Sequence, residues 1–109
     1  MPDFYTLAAT LGIQMKNLGL LAEALTHRSY LNEHREYTGS NNERLEFLGD
    51  AVLELATTDF LFKKFPTKPE GELTAYRASL VNTVSLAETA AVLGVNDYLL
   101  LSRGEARDT

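Results

Sequence analysis

Glu46 and Asp50 stand four positions apart in the run Asn42-Glu43-Arg44-Leu45-Glu46-Phe47-Leu48-Gly49-Asp50. On a helix, residues i and i+4 lie one above the other on a single face. Two stacked carboxylates repel each other, so the pair persists best when it is solvated or bridged by a cation. A divalent ion is the natural bridge, because hard cations prefer carboxylate oxygens. One chemistry open to such a site is hydrolysis of a phosphoester, in which a divalent ion activates water and neutralises the non-bridging oxygens. Mg2+ accepts few carboxylates and keeps several waters, which leaves room for a phosphate.

The neighbours of the pair extend the pattern. At about 100° per residue, with Glu43 at zero, Glu46, Asp50 and Glu54 fall near 300°, 340° and 20°. Leu45, Leu48, Val52, Leu55 and Ala56 fall between about 120° and 220° and predict the core-facing stripe. Phe47 and Leu53 flank the acids, so the acidic stripe is expected to be partly enclosed. A solvated acidic face would carry the same four acids, and the spacing alone leaves that alternative open. Gly49 inside the helix costs roughly 1 kcal/mol relative to alanine, and a close approach by another group is the expected return.

The elements that must position these residues read as helices joined by short loops. Helix spans are predicted at Phe4–Leu11, with Asp3 as cap and Gly12 as stop, and at Leu18–His27, with Asn17 as cap. Leu18, Leu21, Ala22 and Leu25 form the apolar stripe of the second. Residues 31–40 lack periodicity and read as a loop. Ser40 with Glu43 forms a capping-box pattern that opens the central helix, which should run to Lys64 and stop before Pro66. Further helices are expected at Glu70–Val81 and at Thr83–Leu93, the latter capped by Asn82 and stopped by Gly94, with a short helical turn at Asp97–Leu101. The polar stretch from Ser102 to Thr109 shows no capping residue. No run alternates long enough to argue for a sheet.

The chain has 109 residues, a formal net charge of −5, 45% hydrophobic residues and no cysteine. One small domain or part of one fits that length. The missing thiols exclude disulfides and thiolate-metal sites, and make a reducing cytoplasm the expected setting. Met1-Pro2-Asp3-Phe4-Tyr5 lacks a basic flank followed by an apolar run, so no signal peptide is expected, and no apolar stretch approaches a membrane span. An acidic balance is unusual for a nucleic-acid protein. Here the acids themselves would be the machinery, partly neutralised by bound cations.

Asn42 to Leu53 resembles the signature helix of the ribonuclease III family. The resemblance extends upstream through Ala24-Leu25-Thr26-His27-Arg28-Ser29-Tyr30. Downstream it continues through Phe65-Pro66, Glu70-Gly71-Glu72-Leu73-Thr74 and Arg77-Ala78-Ser79-Leu80-Val81. It covers nearly the whole chain, in the family's order. It implies an all-α, ribonuclease III-type endonuclease domain over residues 1–109. In the family a later helix supplies a second Asp and Glu to the metal site, and a double-stranded-RNA-binding domain usually follows. Both would lie past Thr109, so the domain is expected to be truncated before its last helices, and this polypeptide to be weakly active or inactive alone.

The resemblance further implies that Glu46 ligates metal and that Asp50 is the catalytic aspartate on the same metal. Glu43 and Glu70 match accessory acids. Asn42 and Arg44 match positions that hold helices together or touch a partner subunit, and Phe47 inserts into the partner or joins the core. The implied activity is Mg2+-dependent cleavage of double-stranded RNA by a cytoplasmic homodimer in rRNA and mRNA processing. Mn2+ can substitute, and the ends are 5′-phosphate and 3′-hydroxyl. The rival from another class is a non-catalytic RNA-binding or ribosome-associated module on the same fold, disfavoured by the presence of Glu46 and Asp50. A helical interaction domain without nucleic acid is the second rival, separable by metal titration. His27, on an apolar helix end, reads as structural and not as a base. His34 carries no claim. Lys63, Lys64 and Lys68 either meet phosphate or favour a helix C-terminus.

Overall fold

The computed structural model describes residues 1–108, and every regular element among them is helical. Seven α-helices and one 3₁₀ turn follow in order. They are α1 (Phe4–Leu11), α2 (Leu18–Ala24), α3 (Arg28–Glu33), α4 (Glu43–Lys64), α5 (Glu70–Leu80), α6 (Thr83–Leu93), the 3₁₀ turn Val95–Tyr98 and α7 (Arg103–Asp108). The chain divides into two compact units, one made of residues 1–46 with the segment from Leu93 onward, the other of residues 47–92. The division falls within the span of α4.

In the first unit the caps are those read from the sequence. The Asp3 carboxylate accepts from the Tyr5 and Thr6 amides, and Gly12 closes α1 at φ 70°, a left-handed conformation that favours glycine. Asn17 Oδ1 accepts from Gly19 N and starts α2. Leu7, Ala8, Leu25 and Leu100 are buried, and Thr26 has no exposed surface. The α1 helix packs on α2 and on the 3₁₀ turn, where Phe4 meets Tyr98 at 6.4 Å between ring centres.

The expected second helix, Leu18–His27, is too long. It ends at Ala24 because Leu25 to His27 leave the helix to pair with Leu100 as an isolated parallel bridge. Leu100 N donates to Leu25 O at 2.8 Å, and His27 N donates to Leu100 O at 2.9 Å. His27 then caps a helix, α3, inside the stretch expected to be loop from residue 31: its Nδ1 accepts from Ser29 N at 3.1 Å. The polar tail is also helical. Ser102 Oγ accepts from Glu105 N at 3.2 Å and supplies the cap that the sequence reading missed.

In the second unit α4 and α5 form a hairpin through Phe65–Pro69. Phe65 and Tyr76 sit 5.2 Å apart between ring centres, and Arg77 Nη1 donates to Thr58 Oγ1 at 2.9 Å. Leu61 is buried at their junction. Asn82 Oδ1 accepts from Ser85 N and caps α6, which Gly94 ends at φ 75°. The apolar stripe expected from the wheel is not the buried one. Leu48, Val52 and Leu55 are exposed, Leu55 by 70%, whereas the covered line of the helix runs through Leu53, Thr57 and Leu61, on the side that carries the acids. These are spaced by four, the ridge that a neighbouring helix packs against. The angular pattern identifies an apolar face but not which neighbour arrives to cover it. No described helix is long and apolar enough to cross a membrane.

Candidate acidic site on the central helix

Of the five acids on α4, the four nearest its start are all exposed: Glu43 and Glu46 in its first turns, then Asp50 and Glu54. The expected partial enclosure is absent, since Phe47 beside them is itself 84% exposed. Solvent therefore screens their repulsion, and helix geometry alone stacks Glu46 with Asp50. Their donor set suits Mg2+, which needs only one or two protein carboxylates and fills its remaining positions with water and phosphate. Among the described residues no cluster of three or more His, Asp or Glu side chains forms a closed cage.

The start of α4 is fixed more firmly than the sequence suggested. The cap is not Ser40: Asn41 Oδ1 accepts from Glu43 N at 3.1 Å. Asn42 then reaches outward, its Nδ2 donating to Ala24 O at 3.0 Å and its backbone N–H to Thr26 O at 2.9 Å. Of the two roles expected for Asn42, holding helices together is the one these bonds perform. Arg44 is exposed. Glu43, expected as an accessory acid, faces Arg28 at 3.7 Å, with both side chains largely in solvent. Such a pair is worth about 0–1 kcal/mol and orients more than it stabilises.

Glu70 opens α5, where its charge favours the helix dipole. It also lines a groove of about 200 Å³ with Thr58, Leu61, Phe62, Leu73, Thr74 and Arg77. The lysine cluster is taken up locally. Lys63 pairs with Asp59 at 3.1 Å, Lys64 lies over the Phe60 ring at 5.3 Å, and Lys68 pairs with Glu72 at 3.5 Å. Glu72, and after it Tyr76, hold the Lys68 ammonium above its ordinary value.

His27 is structural, as its context suggested. Its Nδ1 accepts from Ser29 N and lies 2.7 Å from Ser29 Oγ, which in turn accepts from Ser102 N at 3.0 Å. His34 stacks on Tyr30 at 4.0 Å with Nδ1 near Tyr30 O, and Tyr37 meets Tyr30 edge-on. The residues that sequence reasoning missed are thus Asn41, Thr26 and Ser29. The one available signal was the density of Asn, Ser and Thr just before each helix start.

A family model described as Ribonuclease-III-like matches residues 17–109. Ribonuclease 3 of Latilactobacillus sakei is 48% identical over 102 residues, which is 94% of this chain and 44% of that protein. Ribonuclease 3 of Listeria monocytogenes is 46% identical over 107 residues, covering 98% of this chain and 47% of that protein. The chain therefore spans about half the length of these curated relatives. A solved nuclease domain of ribonuclease III from Campylobacter jejuni superposes with a TM-score of 0.84 at 42% identity, over 97% of this chain and 70% of that one. That structure is described as flexible in a region involved in dimer formation. A second structure of the same nuclease domain gives 0.83, over 99% and 69%.

Proposed function

The chain belongs to the ribonuclease III family, and on that premise we propose that it acts as a divalent-metal-dependent endoribonuclease on double-stranded RNA. The observation that carries the proposal is the unbroken helix α4 presenting Glu46 and Asp50 one turn apart and open to solvent. In this reading residues 1–109 belong to the nuclease domain, and Glu46 and Asp50 are the side chains that hold Mg2+, with Mn2+ able to replace it. When bound, such an ion lowers the pKa of water and neutralises charge on the scissile phosphate. The two carboxylates supply oxygen donors from a rigid scaffold, so little ordering is required when the ion and the phosphate arrive. Glu43, drawn to Arg28, serves as an accessory that orients the first turn of α4. Glu70 is accessory from the groove beside Arg77.

The reading extends to a homodimer. Phe47, Leu48, Val52 and Leu55 leave an apolar strip along one unit that a second copy would cover. Products with 5′-phosphate and 3′-hydroxyl ends, and a cytoplasmic role in processing rRNA and mRNA, complete it.

The test combines duplex cleavage with metal binding. Cleavage of a duplex RNA should require Mg2+ or Mn2+ and should fall at least about 100-fold in Glu46→Gln and in Asp50→Asn. The assay uses a chain extended past Thr109, since residues 1–109 alone are expected to be weakly active or inactive. Duplex binding without cleavage by that extended chain at any metal concentration would replace this reading with the non-catalytic RNA-binding module. Undiminished cleavage by both variants would remove these two residues from the site.

A further inference from the structure

We infer that Asn42 is the positioning residue for the metal-ligating carboxylate of Glu46, an inference that rests on the metal-site reading above and adds a residue to it. Every hydrogen-bonding group used by this one residue is committed to placing α4. Its carbonyl accepts from Glu46 N at 2.8 Å, the helical bond that carries Glu46. Its amide N–H donates to Thr26 O at 2.9 Å, and its side-chain Nδ2 donates to Ala24 O at 3.0 Å. Asn42 thus joins Glu46 directly to the segment 24–26.

That segment is itself fixed. Thr26 is fully buried, with Oγ1 donating to Ala22 O, and the flanking residues pair with Leu100 on both sides of it. The other ties at the start of α4 do not fix its position. Asn41 caps Glu43 N from within the same turn, and the Arg28–Glu43 pair is long and solvent-exposed. Among the described residues, Asn42 is therefore what sets where the first turn of α4, and with it Glu46, stands against the buried junction. Groups that orient a ligand from outside the coordination shell are worth about 10- to 100-fold in metal affinity. Asn42 would act on Glu46 through the backbone that carries it, by way of the side-chain bond to Ala24 O.

The neighbouring asparagine gives the control. Asn41→Ala removes a helix cap, a loss of general stability like that expected of Asn42→Ala. Asn42→Asp keeps the shape but puts a carboxylate oxygen against Ala24 O. It also adds a negative charge one turn from Glu46, which by attraction alone would tighten cation binding. Should the aspartate variant fail to fold, Asn42→Ala carries the comparison.

Mn2+ is titrated into the wild type and each variant. Affinity is read from the free-ion electron paramagnetic resonance signal and location from paramagnetic broadening of the Glu46 amide. Asn42→Asp and Asn42→Ala should weaken Mn2+ binding by about tenfold or more with helix content retained. Asn41→Ala should leave it unchanged. Wild-type affinity in the Asn42 variants, with binding still lost in Glu46→Gln, overturns the inference and leaves the metal site standing. Equal weakening by Asn41→Ala also overturns it, because fraying of the helix would then be the cause. Mn2+ binding that ignores Glu46→Gln overturns the metal site and this inference together.

Discussion

Replacing Gly49 with alanine adds one methyl group at a point where the structure leaves it room. Gly49 lies within α4, and its φ is not among the positive values, which belong to Gly12 and Gly94. A Cβ built on Gly49 meets no atom within 4 Å, so the close approach expected from the sequence is not present. With neither collision nor new contact, the change in stability is the difference in helix propensity, about 1 kcal/mol in favour of alanine. For a domain of this size that corresponds to a melting temperature higher by roughly 4–8 °C. Thermal unfolding followed by far-ultraviolet circular dichroism, repeated across a dilution series, reads the change. The same substitution at Gly94, where φ is 75°, should act in the opposite direction, by about 1–2 kcal/mol. A melting temperature that falls in Gly49→Ala would refute the reasoning. It would mean that another chain occupies the space beside residue 49 in solution, and a fall that fades on dilution would identify that chain as a second copy.

Three further outcomes are expected. Thr26→Val deletes a hydroxyl that bonds Ala22 O at 2.6 Å from a fully buried residue, while Ala22 O keeps its bond from Leu25 N, and should cost about 0.5–1.5 kcal/mol in urea unfolding; a neutral result would show that the hydroxyl adds nothing to that carbonyl's pairing. The hydrogen bonds from the Thr6 hydroxyl, and then from the Thr6 and Tyr5 amides, hold the Asp3 carboxyl below its ordinary value of 3.8 against a small opposing effect of burial. Because the folded value is the lower one, Asp3 stabilises above the unfolded value and loses that contribution as pH falls through the folded one; the melting difference between wild type and Asp3→Ala should shrink accordingly in acid, and a constant difference would contradict the cap assignment. Phe47→Glu places a charge at the N-terminal end of the exposed apolar strip and should shift sedimentation toward the monomer, weakening self-association by about tenfold or more; an unchanged distribution would move the dimer surface elsewhere.

Local chemistry was legible where it was sufficient. Asp3, Asn17 and Asn82 each cap the helix that the sequence assigned to them, and Gly12 and Gly94 stop theirs. The central helix and the order of its acids were equally readable. What could not be read was anything decided by a residue far along the chain. Leu25 and His27 continue an acceptable helical pattern, and only Leu100, arriving from the other end, draws them out of it. Asn42 looks like one more polar residue before a helix until Ala24 O appears beside its side chain. The wheel placed Leu48, Val52 and Leu55 on a core face, but periodicity cannot supply the neighbour that would make it one. The acidic pair was legible in the same limited way, as two carboxylates one turn apart, without the bonds of Asn42 at the start of their helix.

The seam between residues 25–29 and 100–102 also governs when this protein can finish folding. Ser29 and Ser102 are 73 positions apart, so the first half of the seam leaves the ribosome long before its match exists. At roughly 5–20 residues per second, that interval lasts about 4–15 s. During it α1, the caps and the α4–α5 hairpin can form from nearby contacts, while Leu25 and His27 lack the Leu100 backbone that pairs with them. A nascent chain halted before Leu100 emerges should therefore be cut by proteases around residues 24–27, and one halted after the seam has closed should resist.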